Sequence, residues 1–330
     1  MGRPITIFTG QWTDLPFEEV CELMGKIGYD GLEIACWGGH MDVEKAAKDP
    51  KYVDQRLKVL EKNGLKCWTL GNHIGGQCVG DAFGDPRLKG FAPATCKNDE
   101  EVRAWGIQTM KYTAQAAKNM GCKVVTGFLG SPIWKYLYSF PATEPKMVED
   151  GYKEIYELWS PIFDEFDKCG VKFAHEVHPS EIAYDYYTTE KLLETFKGRK
   201  TLGINFDPSH LQWQGVDPAL FFRDFAKNIY HVHIKDCYVK LDGRAGILGS
   251  HIQFGDLRRG WNFVSPGHGD VNFELIIREA NTAGYNGPLS IEWEDNGMER
   301  VYGATDALAF TKKIDFGASN VDFDKKMKNS

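Results

Sequence analysis

Nine histidines lie at positions 40, 73, 175, 178, 210, 231, 233, 251 and 268. Each falls near the end of an expected strand or in the segment behind it, and none in an expected helix. Histidines that served only as core or surface residues would be shared with the helices, so one rim of the fold is expected to carry polar chemistry. Side chains alternate between the two faces of a strand. Glu176 and His178 therefore share a face with Ala174, opposite Phe173 and His175. Asn205 and Asp207 oppose Ile204 and Phe206. His231, His233 and Lys235 oppose Val232 and Ile234, and Ser290, Glu292 and Glu294 oppose Leu289, Ile291 and Trp293. A carboxylate on an inward face is costly unless it is paired or binds a metal. Four adjacent strands that bring Glu, Asp, His and Glu to one spot describe a divalent-metal site, and both His231 and His233 stand on the inward face. Hard oxygen donors with one imidazole favour Mn2+ first, with Mg2+, Co2+, Fe2+ or Zn2+ as alternatives.

The elements that must position these residues follow from a recurring pattern. A helix-like stretch ends in glycine, and an apolar strand begins shortly after: KIGYDGLEIAC, KNGLKCWTL, NMGCKVVTGF, KCGVKFAHEV and TAGYNGPLSIEW. Glycine adopts the left-handed conformation that ends a helix at low cost. Short helix-to-strand loops before buried strands mark alternating βα units and a parallel sheet. Strands are expected at 5–8, 31–35, 66–70, 123–127, 172–177, 202–206, 230–235 and 288–293. Helices are expected at 16–27, 50–62, 99–120, 147–168, 188–196, 218–225, 273–283 and 303–314. Eight units predict an α/β fold, a closed (β/α)8 TIM barrel forming one domain over 1–314, with a polar tail at 315–330. No GxGxxG follows the first strand, which argues against a nicotinamide site. The connections 72–97, 129–145 and 236–270 are long. All three follow strands and so belong to the C-terminal face, where barrel enzymes keep their sites.

The chain has 330 residues and a net charge of −7, so it has no electrostatic footprint for nucleic acid. No apolar run approaches the roughly 18 residues that span a bilayer. The start, MGRPITIFTG, does not read as a signal peptide, and a cytoplasmic protein is expected. Eight cysteines without a CxxC pair read as small buried hydrophobes.

The motifs HEVHPSE, NFDPSHL, HVHIKD, PGHGDVNF and YNGPLSIEWE, in this order and spacing, resemble the sugar isomerase/epimerase superfamily of xylose-isomerase-like barrels over nearly the whole chain. The resemblance implies a metal held by Glu176, Asp207, His233 and Glu292, with His233 chosen over His231 because it stands three residues before the Asp of HIKD. It implies that Glu176 and Glu292 serve as an acid/base pair. The opening ITIFTGQW, the pair HEVHPSE and DPSHLQWQ, and the long seventh loop resemble a group that includes uncharacterised sugar isomerase-like proteins and the larger subunits of bacterial C-glycoside deglycosidases. That likeness implies a glycoside already oxidised at C3, a small β-rich partner subunit and an oligomeric assembly. A C3 ketone acidifies the C2 hydrogen, which His178 or Glu176 would remove. Departure of the C1 group would make the chain a lyase, and return of the proton by Glu292 would make it an epimerase. Sugar contacts are expected from His210, Asn72, His73, Lys235 and His268, with Trp12, Trp37 and Trp213 as stacking surfaces. Lys235 is alternatively a partner for Asp236, and His175 is expected to face outward in a structural role.

Overall fold

Gly28, Gly170 and Gly284 end their helices with φ of 99°, 66° and 70°, and a strand follows each within five residues. The computed structural model describes residues 2–81, 83–134, 139–249, 251–319, 321 and 324. Its strands are β1 (Ile5–Phe8), β2 (Gly31–Ala35), β3 (Lys66–Gly71), β4 (Val124–Gly127), β5 (Lys172–Glu176), β6 (Leu202–Phe206), β7 (Ile229–Ile234), β8 (Asp236–Val239), β9 (Trp261–Val264) and β10 (Leu289–Ile291). Its helices are α1 (Phe17–Ile27), α2 (Val43–Lys48), α3 (Pro50–Lys62), α4 (His73–Gly80), α5 (Asp99–Asn119), α6 (Pro145–Cys169), α7 (Tyr186–Thr195), α8 (Pro208–Gln212), α9 (Pro218–Phe225), α10 (Phe273–Ala283) and α11 (Arg300–Ile314). All strands but β8 and β9 close into a parallel barrel in the order β1-β10-β7-β6-β5-β4-β3-β2. The expected (β/α)8 TIM barrel is therefore observed, with strand boundaries within two residues of the reading.

Helix faces follow their apolar spacing. In α1, Phe17, Val20, Cys21 and Met24 recur at helical period and are buried against the sheet. Phe163 and Phe166 of α6 pack on Phe173 of β5, with ring centroids 5.8 and 5.7 Å away. The outward faces of the strands thus carry the apolar core, which leaves the barrel interior for polar groups.

The long connections contain structure that periodicity did not reveal. Segment 236–270 holds the antiparallel β8–β9 hairpin, with Asp236 opposite Val264, and residue 250 within it lies outside the described residues. Segment 129–145 includes residues 135–138, and the tail 315–330 includes most of its last residues, also outside that set. Asp315 is tied down by the backbone N–H of Arg3, 2.6 Å away. Helix α4 corrects the expectation that no histidine belongs to a helix, since His73 is its first residue, and His210 lies within α8. The sequence HIGGQCVG has poor helix propensity. Its glycines are there for packing: a Cβ on Gly76 would stand 1.9 Å from the Phe128 carbonyl oxygen, and one on Gly80 2.0 Å from that of Leu129. Among the described residues, no helix is long and apolar enough to cross a membrane.

Gly76→Ala should reverse the usual helix preference. Alanine normally favours a helix by up to about 1 kcal/mol over glycine, but here overpacking against Phe128 should destabilise by about 1–3 kcal/mol. Urea denaturation checks this, and a variant as stable as the parent would mean that α4 does not press on the end of β4.

Candidate metal centre and active site

The strand register levels the polar positions. Glu176 pairs with Asn205, Asn205 with His231, and His233 with Ser290. Just past the strand ends, Asp207 caps α8: its Oδ1 accepts from Ser209 N and Ser209 Oγ at 2.8 and 2.7 Å, so Oδ2 is turned toward the barrel axis. One donor atom each from Glu176, Asp207, His233 and Glu292 lies within 4.8 Å of the other three, and all four residues are buried. His233 Nδ1 is 2.9 Å from Glu292 Oε2, 3.5 Å from Glu176 Oε2 and 3.9 Å from Asp207 Oδ2. The closest of these contacts is not aligned as a hydrogen bond, and both Glu292 Oε2 and Asp207 Oδ2 are buried without a hydrogen-bond partner. Orphaned carboxylate oxygens are expensive inside a protein. A divalent cation would satisfy these two and the other donors at once, and three carboxylates with one imidazole suit such an ion.

The other nitrogen of His233 explains its orientation. Its Nε2 stands 3.1 Å from Glu33 Oε2. Glu33 is fully buried and also accepts from His231 Nε2 at 2.8 Å and Ser290 Oγ at 2.7 Å, and from the Thr126 hydroxyl. With Nε2–H given to Glu33, Nδ1 faces the three carboxylates and would offer its lone pair to a cation that displaces its proton, the arrangement by which a second carboxylate orients a metal-binding imidazole. Burial works against the charge of Glu33, but the neighbouring His231 and His233 hold its carboxyl well below the usual range. Glu33, His231 and His233 are themselves close enough to be a second ligand group, yet the oxygens of Glu33 are taken up by its four donors. His231 is held by Glu33 and lies 3.4 Å from Thr69, outside the four-residue group. That geometry separates His233 from His231. Glu33 escaped the sequence reading, although a charged residue at the centre of GLEIA, on the inward face by alternation, was the available signal.

Charge in the pocket is finely divided. Glu292 is held down to about 2, burial being outweighed by Lys235 and His233. Asp207 is pushed up to about 6 by burial, with Lys235 opposing and Glu176 and Glu292 adding. Burial would lower His233, but Glu33 and Glu292 keep it well above its ordinary value. Lys235 is 3.2 Å from Glu292 and 3.5 Å from Glu294, under the Phe263 ring at 4.2 Å. It is not the partner of Asp236, whose carboxylate instead receives the backbone N–H groups of Cys237, Gly267, Gly269 and Val271.

The remaining expected contacts divide. His73 Nε2 is 3.0 Å from Glu176 Oε2. His210 Nε2 is 3.5 Å from both Glu176 Oε1 and Asp207 Oδ2, and neither of its nitrogens has a hydrogen-bond partner. The His178 ring lies against that of His210, centroids 4.1 Å apart and planes tilted by 57°. It is neutral, burial and His210 lowering it to about 3, and its Nδ1–H meets the Pro179 carbonyl at 2.6 Å, which leaves Nε2 as its acceptor. The Asn72 side chain caps α4, accepting from Gly75 N at 3.0 Å, and donates to Thr113 at 2.7 Å. His268 is half-exposed, in the lining of a groove, and paired with Asp306 at 2.9 Å. His175 is buried 3.4 Å from the Ala183 carbonyl, on the face expected. Trp12 is fully buried and Trp213 is stacked on Trp261 at 4.2 Å, so only Trp37, beside His73, keeps the expected place at the site. Gln11 was also missed; its amide donates to Glu292 Oε1 at 2.8 Å and Glu294 Oε1 at 3.1 Å.

Residues 21–314 match the model of a family described as xylose isomerase-like TIM barrel. The chain is 26% identical to the uncharacterized protein YfiH of Bacillus subtilis, over 86% of this chain and 90% of that one. It is 23% identical to an inosose dehydratase of Clostridium perfringens, over 85% and 83%. Among solved structures, 3-keto-D-glucoside 4-epimerase YcjR from E. coli superposes with a TM-score of 0.66 at 15% identity, covering 94% and 99%. The IOLI protein with a binding zinc atom gives 0.62 at 17%, covering 94% and 96%. At these identities the two structures speak for the fold.

Replacing Glu33 by Gln should unfold the barrel early. It leaves two imidazoles and two hydroxyls around a neutral amide in the interior, and removing one member of a buried charged group costs roughly 3–5 kcal/mol. Thermal unfolding measures it; an unchanged midpoint would mean that Glu33 does not anchor the polar column.

Proposed function

This chain belongs to the xylose isomerase-like TIM-barrel family, and on that premise we propose that it is a divalent-metal enzyme that removes the proton next to a sugar ketone. The observation that carries this reading is the pair of orphaned carboxylate oxygens, Asp207 Oδ2 and Glu292 Oε2, turned with His233 Nδ1 toward one point. Glu176, Asp207, His233 and Glu292 would hold the ion, Mn2+ by the balance of donors. When bound, the metal supplies a Lewis acid that makes the hydrogen beside the carbonyl acidic enough to remove.

The chain's own residues then divide the work. His210, whose nitrogens make no hydrogen bond, holds a sugar hydroxyl, and His73 keeps Glu176 in place. Glu176 or the acceptor nitrogen of His178 takes the C2 proton of a glycoside carrying a ketone at C3. The C–H bonding pair becomes the C1–C2 double bond, and the C1 substituent leaves with its own bonding pair. The similarity to inosose dehydratase along most of both chains supports elimination over simple proton return. The finer form of this reading is the larger subunit of a C-glycoside deglycosidase, working in an oligomer with a small β-rich partner; it rests on the likeness of motifs. One observation favours a second reading: Glu176 and Glu292 both approach His233 Nδ1, at 3.5 and 2.9 Å, so a proton taken by one could be returned by the other, as in an epimerase.

Two measurements test the proposal. Glu176→Gln and Glu292→Gln should each lower kcat/KM by about 10³, in the range lost with an acid or base, while His175→Asn keeps most activity; an equally inactive His175→Asn would put the wrong face of β5 inward. Chromatography of one glycoside offered with and without prior C3 oxidation should show aglycone release from the 3-oxo form alone. Release from the unoxidised form would overturn enolisation, and an epimerised 3-oxo sugar with no release would select the second reading.

A further inference from the structure

At the N-terminal end of the barrel, opposite the carboxylates, two cysteine sulfurs lie 3.2 Å apart. Cys67 stands near the start of β3, and Cys122 in the turn that leads from α5 into β4. The strand register brings them together. Strands β3 and β4 run parallel with Thr69 level with Val124, so two residues back along each chain Cys67 stands level with Cys122. Neighbouring strands are about 4.8 Å apart, and a disulfide joins Cα atoms roughly 4.4–6.8 Å apart. The two sulfurs already face each other and need only close to about 2.05 Å, a movement within reach of side-chain rotation. A sequence separation of 55 keeps the pair outside any CxxC pattern.

Access divides the roles. Cys67 is partly exposed and Cys122 is buried, so an oxidant from solvent meets Cys67 first, with Cys122 in reach behind it. The hydrogen bond to Cys122, then burial, push the Cys67 thiol well above its ordinary range, and Cys36 and Cys21 add to the shift. The thiolate is the nucleophile, so the pair reacts slowly at neutral pH and faster as pH rises. Cys36 is the competing thiol, also partly exposed. It follows the C-terminal end of β2, whereas Cys67 is at the beginning of β3, and its Sγ is 4.0 Å from the Ile34 carbonyl.

We propose that Cys67 and Cys122 are an oxidation-sensitive dithiol, which hydrogen peroxide converts into a disulfide that staples β3 to the entry of β4. The Cys67 thiolate attacks one peroxide oxygen, the O–O bond breaks, and hydroxide leaves a sulfenic acid on Cys67. The Cys122 thiolate then attacks Cys67 Sγ; the S–S bond forms, the S–O bond breaks, and a second hydroxide leaves. The two thiol protons neutralise the two hydroxides. Two thiols are thus oxidised to one disulfide while one peroxide is reduced to two waters. The closed loop holds α4 and α5, and with α4 the His73 that bonds Glu176. Closing a loop of this length restricts the unfolded chain, so the oxidised protein resists heat better than the reduced one. The metal-binding end of the barrel is left as it was.

The test treats the full-length, metal-loaded protein with hydrogen peroxide at mildly alkaline pH, where more thiolate is present. The protein is then unfolded, its remaining thiols are alkylated, and it is digested without reductant. Mass spectrometry should find the Cys67 peptide joined to the Cys122 peptide, and dithiothreitol should separate the two. The midpoint of thermal unfolding should rise by about 5 °C on oxidation and fall back on reduction. Cys67→Ala, at the partly exposed position, should lose both the link and the rise. Cys122→Ala should do the same, and circular dichroism before treatment shows that each variant is folded; Cys67→Ala decides alone if the buried substitution is not tolerated. Both cysteines alkylated after treatment, Cys67 carried on to sulfinic acid without a link, or Cys122 joined to Cys36 instead overturns the proposal. A Cys67–Cys122 link that leaves the midpoint unchanged overturns the staple.

Discussion

Three buried carboxylates converging on one imidazole nitrogen are the constraint on which the rest of this structure depends. Glu176, Asp207 and Glu292 are removed from water, where like charges repel strongly and unpaired oxygens lose their hydration. Lys235 and the surrounding imidazoles offset part of that charge. Two oxygens, Asp207 Oδ2 and Glu292 Oε2, remain without a hydrogen-bond partner, and a divalent cation would supply the charge to meet them.

The elements around this point each serve it. Helix α8 begins at Asp207, so one carboxylate oxygen is consumed as a cap and the other is aimed inward. Helix α4 is allowed to approach by Gly76 and Gly80 and carries His73 to Glu176. Beneath them, Glu33 collects two histidines and two hydroxyls, and thereby decides which nitrogen of His233 faces the carboxylates. The hairpin β8–β9 brings Phe263 over Lys235.

Much of this was legible in the sequence. Glycine caps followed by apolar runs located the eight barrel strands, and alternation by two put Glu176, His233 and Glu292 on the inward face while turning His175 outward. What was missed has physical reasons. Helix α4 has a glycine-rich sequence whose helicity comes from packing, which propensity does not see. Glu33 sits in a strand whose apolar neighbours dominate its pattern, and its histidine partners lie about 200 residues away in sequence. The partners of Asn72 and Lys235 were likewise set by tertiary contacts that the sequence does not print: Thr113 and the α4 backbone for the first, Glu292 and Glu294 for the second. The choice between His231 and His233 needed the depth of each along the barrel axis, which alternation alone does not supply.

The central claim is that the barrel carries one cation at the mouth of its polar column and none on Glu33. Anomalous diffraction from crystals of protein purified without chelator and soaked in Mn2+ tests this most directly. The account predicts a single strong peak in contact with Glu176, Asp207, His233 Nδ1 and Glu292. A map with no peak there, or with its peak on Glu33 and His231, would contradict it.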